Sequence, residues 1–259
     1  MKDLFKYQDK KYTQNDLIKA LCDLGIQKGD IICVHNEIYS FGIPLLPIKD
    51  FLNALIECLF ETIGQNGTLI MPTFTYSFCN NEIYDKLNSK CTVGALGEFF
   101  RKQNGVKRTD DPIFSFAIKG AKEKLFLNQD DQKSCFDDNC LYAILVKNKG
   151  KILNFGNKDC FTFAHYPMEK VGVDYRYFKE FKGLIIDEKG QSYHKSIQYY
   201  VREHDAYETD EKIIKFLENK SYFNKIGFGG TFLNLIDAQA FYNDLIKAYK
   251  ENGHVFRAN

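Results

Sequence analysis

The sequence predicts an α/β fold: a three-layer core in which a mixed sheet lies between helices, plus an inserted antiparallel β section. Short continuous apolar runs, typical of strands buried on both faces, alternate with longer segments whose apolar residues recur at helical spacing. After Gly172 the pattern changes to the alternation of a β-hairpin, at about residues 175–203. No repeat or low-complexity linker divides the chain, so we expect a single domain over residues 1–259.

The first helix has clear signals at both ends. Thr13 resembles the N-cap of a capping box with Asp16, and Gly25 ends the helix. The same patterns predict the later elements, in order: a strand over residues 31–35, a helix over 48–63, a strand over 68–71, a helix over 92–102, a strand over 113–118, helices from 121 and from 141, a strand over 151–155, and helices from 210 and 237 flanking a strand and turn at 225–230.

The composition excludes several classes of protein. The net charge of +1 leaves no excess of positive charge for nucleic acid. No apolar run approaches the roughly 20 residues that cross a bilayer, and the N-terminus lacks the apolar core of a signal peptide. The eight cysteines form no C-x-x-C pair, so we interpret them as reduced thiols. We expect a cytoplasmic protein that binds small molecules, without nucleic-acid or membrane partners, and the antiparallel section offers an edge for a homodimer.

The segment of residues 154–170 carries the main catalytic signal. It begins at the end of a predicted buried strand and ends with His165 and Glu169, four residues apart. If the chain after Asp159 is helical, the imidazole and the carboxylate lie on one face of that helix. A histidine beside a carboxylate suits general-base chemistry, because the imidazole pKa lies near working pH. A surface ion pair is the alternative, and the position after a strand, where α/β sheets place their sites, favours catalysis.

Two other groups of residues offer alternatives. Cys160, five residues before His165, is a candidate nucleophile for a Cys-His hydrolase. Arg108, Asp110 and Asp111 precede a predicted strand. They form either a solvated turn or a site in which a carboxylate holds an amine, or Arg108 a phosphate.

No motif indicates a dinucleotide or a metal. The glycines at 227, 229 and 230 do not fit G-x-G-x-x-G, and no P-loop is present. His194 and His204 lack the spacing of paired metal ligands, so we predict no metal site. His35, at the end of a predicted strand, is interpreted as a core residue.

Four stretches form a recognisable set in this order: G-D-I-I-C-V-H at residues 29–35 with S-F-G at 40–42, G-T-L-I-M-P-T-F at 67–74, G-A-L-G-E-F-F-R at 94–101 with R-T-D-D-P-I-F-S at 108–115, and the segment 162–169. Together they resemble the aminoglycoside 3-N-acetyltransferase family, which has the antibiotic N-acetyltransferase fold. The resemblance covers about residues 10–250.

The resemblance implies acyl transfer from acetyl-coenzyme A, or another acyl-coenzyme A, to an amino group on a sugar ring. The family's histidine falls on His165 and its acidic neighbour on Glu169, although the family's H-x-x-E spacing is H-Y-P-M-E here. Thr162 is placed to stabilise the oxyanion. The coenzyme is expected along the loops after the first two strands, at Ile38, Tyr39, Ser40, Phe41, Thr73 and Phe74, with Ser115 nearby by family analogy.

Two departures from the family bear on the acceptor. Resistance enzymes of this family carry Ser where Glu37 stands and His where Asp111 stands. The pattern R-T-x-D-P-I-F-S-F is closer to acyltransferases that act on nucleotide-linked amino sugars in surface-glycan (lipopolysaccharide) biosynthesis. The chain also lacks the strong acidity that would attract a polycation. We therefore predict a nucleotide-linked amino sugar as acceptor, bound by Glu37, Arg108, Asp110, Asp111 and Tyr166. The alternatives are an aminoglycoside acetyltransferase and a non-catalytic sugar-nucleotide-binding relative.

Overall fold

The structure is a computed structural model that describes residues 2–128, 131–156, 161–204 and 209–258. The strands are β1 (Asp3–Tyr7), β2 (Lys10–Thr13), β3 (Ile31–Asn36), β4 (Ile43–Pro44), β5 (Thr68–Pro72), β6 (Tyr84–Asp85), β7 (Lys107–Arg108), β8 (Phe116–Gly120), β9 (Lys151–Phe155), β10 (Arg176–Ile186), β11 (Ser192–Arg202), β12 (Phe223–Phe228) and β13 (Thr231–Asp237). The helices are α1 (Gln14–Asp23), α2 (Ile48–Ile63), α3 (Ala95–Phe100), α4 (Glu123–Leu127), α5 (Leu141–Lys147), α6 (His165–Val171), α7 (Asp210–Leu217) and α8 (Ala238–Glu251).

A seven-stranded sheet in the order β12-β13-β9-β3-β5-β8-β7 forms the central layer. Strand β3 pairs in parallel with β5 and β9, and the other pairs are antiparallel, so the sheet is mixed. Alternate residues of β3 serve opposite faces, as the pleat requires. Ile31 and Cys33 join a core with α5, α6 and α8, and Ile32 and Val34 join a core with α1, α2 and α3. This confirms the predicted three-layer α/β fold.

Local signals place several element boundaries as predicted. Asp16 donates its backbone N–H to the Thr13 hydroxyl at 3.2 Å, and the Asp16 carboxylate accepts from the Thr13 N–H at 2.8 Å, which completes the capping box. Helix α2 and strand β9 have the predicted bounds. The helix predicted over residues 92–102 is shorter and covers only Ala95–Phe100.

The predicted antiparallel section is a long hairpin. Strands β10 and β11 pair in register from Arg176 opposite Arg202 to Ile186 opposite Ser192. The short strand β6 joins β10 in parallel, and Ser134 bridges to Gln198 on β11. The hairpin thereby brings its Arg176 and Arg202 end beside α6, where both arginines line one cavity with His165.

Several elements differ from the sequence prediction. The N-terminal hairpin of β1 and β2 was not predicted, and neither was β13, which lies between β12 and β9. The strand predicted from residue 113 begins at Phe116, because the Asp111 carboxylate accepts the N–H groups of Ile113 and Phe114, both at 2.8 Å, and holds them in a turn. Within the described residues, no helix is long and apolar enough to span a membrane.

Candidate active site

His165 stands at the first position of α6. A 3-10 turn over Thr162–Ala164 leads into the helix, and Gly172 ends it in the left-handed conformation at φ 74°. The chain is therefore helical at His165, as the spacing argument required. His165 and Glu169 lie one turn apart on the same side of α6.

The imidazole lies in the wall of a cavity of about 340 Å³. The other lining residues come from the 3-10 turn, α6, the hairpin and the start of α7, and they include Thr162, Met168, Arg176, Tyr199, Arg202 and Asp210. Two guanidinium groups thus share the wall with one carboxylate. Apolar side chains, among them Phe161, Met168 and Ile213, make up much of the remaining wall, so the lining combines charged and apolar groups.

The surroundings of His165 keep its ring neutral. Aromatic rings surround it, with the Phe136 centroid at 5.1 Å and the Tyr199 centroid at 6.2 Å. Burial lowers the pKa of His165 well below its usual value, and the positive charges of Arg176 and Arg202 lower it further. Its Nδ1 atom is buried and accepts or donates no hydrogen bond within the described residues. A neutral imidazole is the form that a general base requires.

Glu169 occupies a different environment on the same helix face. The Ser134 hydroxyl donates a hydrogen bond to its Oε1, while Oε2 is buried and has no hydrogen-bond partner in the described chain. Burial raises the pKa of Glu169 to about 7, against the opposing effect of the Ser134 hydrogen bond. No hydrogen bond or ion pair joins Glu169 to His165 in this part of the structure. The role of Glu169 as the orienting carboxylate stays a prediction.

A second, narrower cavity of about 120 Å³ adjoins the first. It is lined by His35 and Asn36 from the end of β3, by Phe74, Tyr76 and Val93 from the neighbouring loops, and by Thr162. Thr162 lines both cavities. The His35 Nε2 atom is hydrogen-bonded to the Tyr142 hydroxyl at 3.0 Å, so His35 is a satisfied, buried residue that also faces this cavity.

Arg108 has a structural role in its contacts, and its substrate-binding role stays a prediction. The side chain is only 6% exposed. Its Nε donates to the hydroxyls of Thr73 and Ser115 at 3.1 and 3.2 Å, and its terminal nitrogens donate to backbone carbonyls of Thr73, Lys86 and Ser89. Protein acceptors occupy this guanidinium, and it fastens the loops after β5 and β6 to β7.

Asp110 and Asp111 lie apart from His165. Asp111 is buried, and its oxygens accept from two backbone N–H groups and from the Gln132 amide at 3.1 Å. Asp110 forms an ion pair with Lys86 at 2.6 Å and lines a separate cavity with Glu188. Asp111 therefore shapes a turn, and neither carboxylate meets the cavity of His165.

Tyr166 also faces away from that cavity. Its ring stacks on Tyr242 of α8 with centroids 4.8 Å apart, and its hydroxyl donates to Asp138 at 3.3 Å. Consecutive residues on a helix point in different directions, so Tyr166 packs between helices while His165 lines the cavity. Its predicted role at the acceptor finds no support in this position and stays untested.

The residues predicted to hold the coenzyme divide into two groups. Ile38, Phe41, Thr73 and Ser115 are buried, so their side chains belong to the core or to the Arg108 network. Tyr39 is 59% exposed, and Phe74 faces the narrow cavity. The Ser40 hydroxyl donates to the carbonyls of Glu37 and Gly156 at 2.6 and 2.7 Å, and so fixes the loop after β3.

Three further predictions have structural outcomes. Glu37 is exposed beside this loop and does not line either cavity described above. The candidate nucleophile Cys160 lies outside the described residues, and the seven cysteines within them are free. The described chain holds no group of three histidine, cysteine or acidic side chains arranged for a metal ion.

Sequence reasoning missed the arginines of the cavity. Arg176 and Arg202 are 26 positions apart and meet because they are register partners at the end of the hairpin. The alternation of apolar and polar residues predicted the hairpin, but it did not indicate which residues of the hairpin lie over α6.

Comparisons with known proteins agree on one family. The sequence matches the family described as aminoglycoside 3-N-acetyltransferase over residues 34–250. Aminoglycoside N(3)-acetyltransferase IV from Salmonella sp is 30% identical over 120 residues, which are 46% of this chain and 43% of that protein, so the match spans less than half of that relative's length. The SPbeta prophage-derived aminoglycoside N(3')-acetyltransferase-like protein YokD of Bacillus subtilis (strain 168) is 24% identical over 222 residues, 70% of this chain and 80% of that protein.

Solved structures show the same fold. Sisomicin-bound AAC-VIa superposes with a TM-score of 0.81 at 19% identity, over 93% of this chain and 98% of that chain. AAC-IIIb, in a binary complex with CoASH, superposes with a TM-score of 0.79 at 21% identity, over 93% of this chain and 97% of that chain. At these identities the superpositions establish the fold.

Proposed function

The chain belongs to the aminoglycoside 3-N-acetyltransferase family, and from this membership we propose that it transfers an acyl group from acyl-coenzyme A to an amine on a sugar ring. One observation carries the proposal. A neutral imidazole, His165, lies in the wall of an open cavity with its Nδ1 unpaired among the described residues. Acetyl-coenzyme A is the donor that the family name and the CoASH-bound relative support.

The reaction needs a base and no protein nucleophile, since a thioester is already activated. The amine attacks the carbonyl carbon and forms the C–N bond, and His165 accepts the proton that the amine loses. The C–S bond then breaks, and the coenzyme A thiolate takes that proton from the imidazolium. We assign stabilisation of the oxyanion to the hydroxyl or backbone N–H of Thr162, and the position of Thr162 in the walls of both cavities supports this role.

The acceptor we propose first is an aminoglycoside. The two curated relatives carry aminoglycoside acetyltransferase names, and solved relatives were determined with sisomicin and with a gentamicin. Asp210 supplies a carboxylate in the cavity wall for an ammonium group of such a ligand. Activity of this kind would confer resistance on a sensitive cell.

A nucleotide-linked amino sugar of surface-glycan biosynthesis is the second candidate. Arg176 and Arg202 place two guanidinium groups in the cavity wall, close enough to His165 to lower its pKa. Guanidinium groups bind phosphate through paired hydrogen bonds, and they repel a polycation. This charge distribution favours an acceptor that carries a diphosphate.

A thiol-release assay with acetyl-coenzyme A distinguishes the candidates. The panel contains sisomicin, gentamicin and a set of nucleotide-linked amino sugars, and the product is located by mass spectrometry and NMR. We expect turnover on at least one aminoglycoside. Turnover confined to nucleotide sugars would establish the second candidate, and no turnover with any acceptor or longer acyl donor would overturn the proposed transferase activity.

A further inference from the structure

The two outer edges of the β10–β11 hairpin differ in whether they are paired. On β11, the backbone of Gln198 bonds to the loop before α5: its N–H donates to the Lys133 carbonyl, and its C=O accepts from the Cys135 N–H, both at 2.9 Å. On β10, strand β6 occupies the outer edge only at residues 185–186. Among the described residues, no strand pairs with the outer edge of β10 before that point.

The outer edge of β10 presents backbone groups at every second residue. The Ile186 carbonyl points away from β11, since it accepts from the Lys86 N–H at 2.9 Å. In an antiparallel pair, alternate residues point their N–H and C=O groups to the same side, and the register of β10 with β11 runs without a shift. The N–H and C=O groups of Glu180 and Lys182 therefore also point outward, and both side chains are exposed. An edge of this kind is a template for a strand of another chain.

Charged side chains on an edge usually oppose pairing between copies, so the order of positive and negative residues decides whether two copies attract each other. If two copies of β10 pair antiparallel about a two-fold axis at Glu180 or at Lys182, that charge lies directly opposite its own copy, which is unfavourable. An axis between two residues sets an outward-pointing residue opposite an inward-pointing one, so the ladder cannot form. An axis at Phe181 places Glu180 opposite Lys182 of the second copy, and Lys182 opposite Glu180. In that register opposite charges meet, and both members of each pair point their backbone groups outward.

The side chains around this axis are compatible with close approach. Within one copy, Glu180 already forms an ion pair with Lys182 at 2.8 Å. In the pair of copies, each carboxylate lies between two ammonium groups, so four charges of alternating sign form one cluster. Lys179 lies opposite Gly183 of the second copy, which has no side chain to obstruct it.

The ends of the paired segment carry exposed apolar side chains. Phe178 is 51% exposed, and so is Ile83, which precedes β6. In this register Phe178 lies opposite Leu184 of the second copy. Ile83 adjoins Leu184, because Tyr84 is the register partner of Ile185. Pairing therefore covers apolar surface at both ends of the segment.

We propose that residues 179–183 of β10 pair antiparallel with the same residues of a second copy of this chain, about a two-fold axis at Phe181. Backbone hydrogen bonds join the copies at each pair of Glu180 with Lys182. Strand β6 limits the segment to these residues, because it occupies the edge from Ile185 onward. Since the segment is short, the dimer dissociates on dilution. The dimer does not depend on the proposed acyl transfer.

Sedimentation velocity over about a hundredfold range of protein concentration tests the register. We expect the wild type to be a dimer that dissociates at the low end of the range. Glu180→Lys alone, or Lys182→Glu alone, sets like charges opposite each other at both pairs, so each should raise the dimer Kd by about tenfold. The double variant Glu180→Lys/Lys182→Glu exchanges the two signs, so its Kd should return to within about threefold of the wild-type value.

The matched control is Lys179→Glu, which makes the same change of charge as Lys182→Glu on the same strand. Lys179 lies opposite Gly183 in the proposed register, so the dimer Kd should stay within about twofold of the wild-type value. A dimer that the single reversals leave unchanged, or that the double variant does not restore, would overturn the proposal. A pure chain that stays monomeric throughout the series would overturn it too, and is the result expected if this edge pairs with a different protein.

Amide hydrogen exchange of the wild type locates the contact without any substitution. The N–H groups of Glu180 and Lys182 point outward, so their exchange should slow as the protein concentration, and with it the dimer, increases. The N–H of Phe181 points to β11 in either state, so its exchange should not change with concentration. Fast exchange at Glu180 and Lys182 in a dimeric sample would assign the dimer to another surface and overturn the proposal.

Discussion

Two regions of the molecule bury polar side chains, and they differ in whether those side chains have hydrogen-bond partners. Around Arg108, the donors of the guanidinium meet two hydroxyls and three backbone carbonyls, and the charge also lies over the Tyr84 ring at 5.3 Å. Around His165 and Glu169, a ring nitrogen and a carboxylate oxygen are buried without a hydrogen-bond partner in the described chain.

This difference distinguishes a structural hydrogen-bond network from a candidate active site. A buried polar atom left unpaired costs about 1–3 kcal/mol, so a fold retains few of them. In the Arg108 region the network removes that cost and fixes three loops. In the His165 region the unpaired atoms stay buried on α6, whose His165 ring lines an open cavity, so the fold tolerates that cost beside the candidate site. Burial and charge alone, which the two regions share, do not identify an active site.

The largest expected effect is on catalysis. His165→Ala should lower turnover by about 10²–10⁴-fold, the usual contribution of a general base, while the variant still folds with a loss of about 1–3 kcal/mol of unfolding free energy, because the ring packs against Phe136 and Tyr199. Steady-state kinetics and urea unfolding of the same preparation measure both. The matched control is His194→Ala, an exposed imidazole on β11 that should leave turnover unchanged. Near-normal turnover in His165→Ala would remove the base from the mechanism and weaken the contrast between the regions.

The next effect is on stability. Arg108→Lys keeps the charge but cannot reach acceptors as far apart as the carbonyls of Thr73 and Ser89, so it should lose about 3 kcal/mol of unfolding free energy. The adjacent Lys107→Gln, which breaks an exposed ion pair with Glu123, should lose less than about 1 kcal/mol. Urea titrations compare the two. A raised KM for the acceptor with unchanged stability would instead return Arg108 to the substrate.

The sequence predicted the layers because they follow from local periodicity. Buried strands such as β9 and amphipathic helices such as α2 are encoded within a few residues, and the capping residue Thr13 marks its own helix. Strand β13 was missed because Asn234 interrupts its apolar run, although the fold buries that side chain at 2% exposure. Whether a polar residue inside a strand is buried depends on tertiary contacts, and no local sequence pattern indicates it.

The site was predictable only where it depends on one element. His165 and Glu169 share a helix, so their spacing placed them on one face. The structural contacts of Arg108 and Tyr166 were not predicted because their partners are distant in sequence: Arg108 donates to Thr73, and Tyr166 stacks on Tyr242. The same limit hid Arg176 and Arg202, which become neighbours only through the register of the hairpin.

The smallest expected effect is on the pH dependence of stability, and it tests whether the buried carboxyl group of Glu169 is protonated in the folded protein. Its folded-state pKa of about 7 lies above the value of 4.5 for an unperturbed Glu, so the folded state binds this proton more tightly than the unfolded state does. The stabilising effect of the protonated group is complete below about pH 4.5 and is lost as the pH rises through about 7. Glu169→Gln does not titrate, so it should gain stability relative to the wild type between about pH 5 and pH 8, by about 1 kcal/mol after allowance for partial exposure. Urea unfolding at several pH values measures the gain, and Glu82→Gln, at an exposed position, corrects for the change in net charge. A gain that does not vary with pH would mean that Glu169 is ionised throughout, which is the form needed to hold an imidazolium at His165.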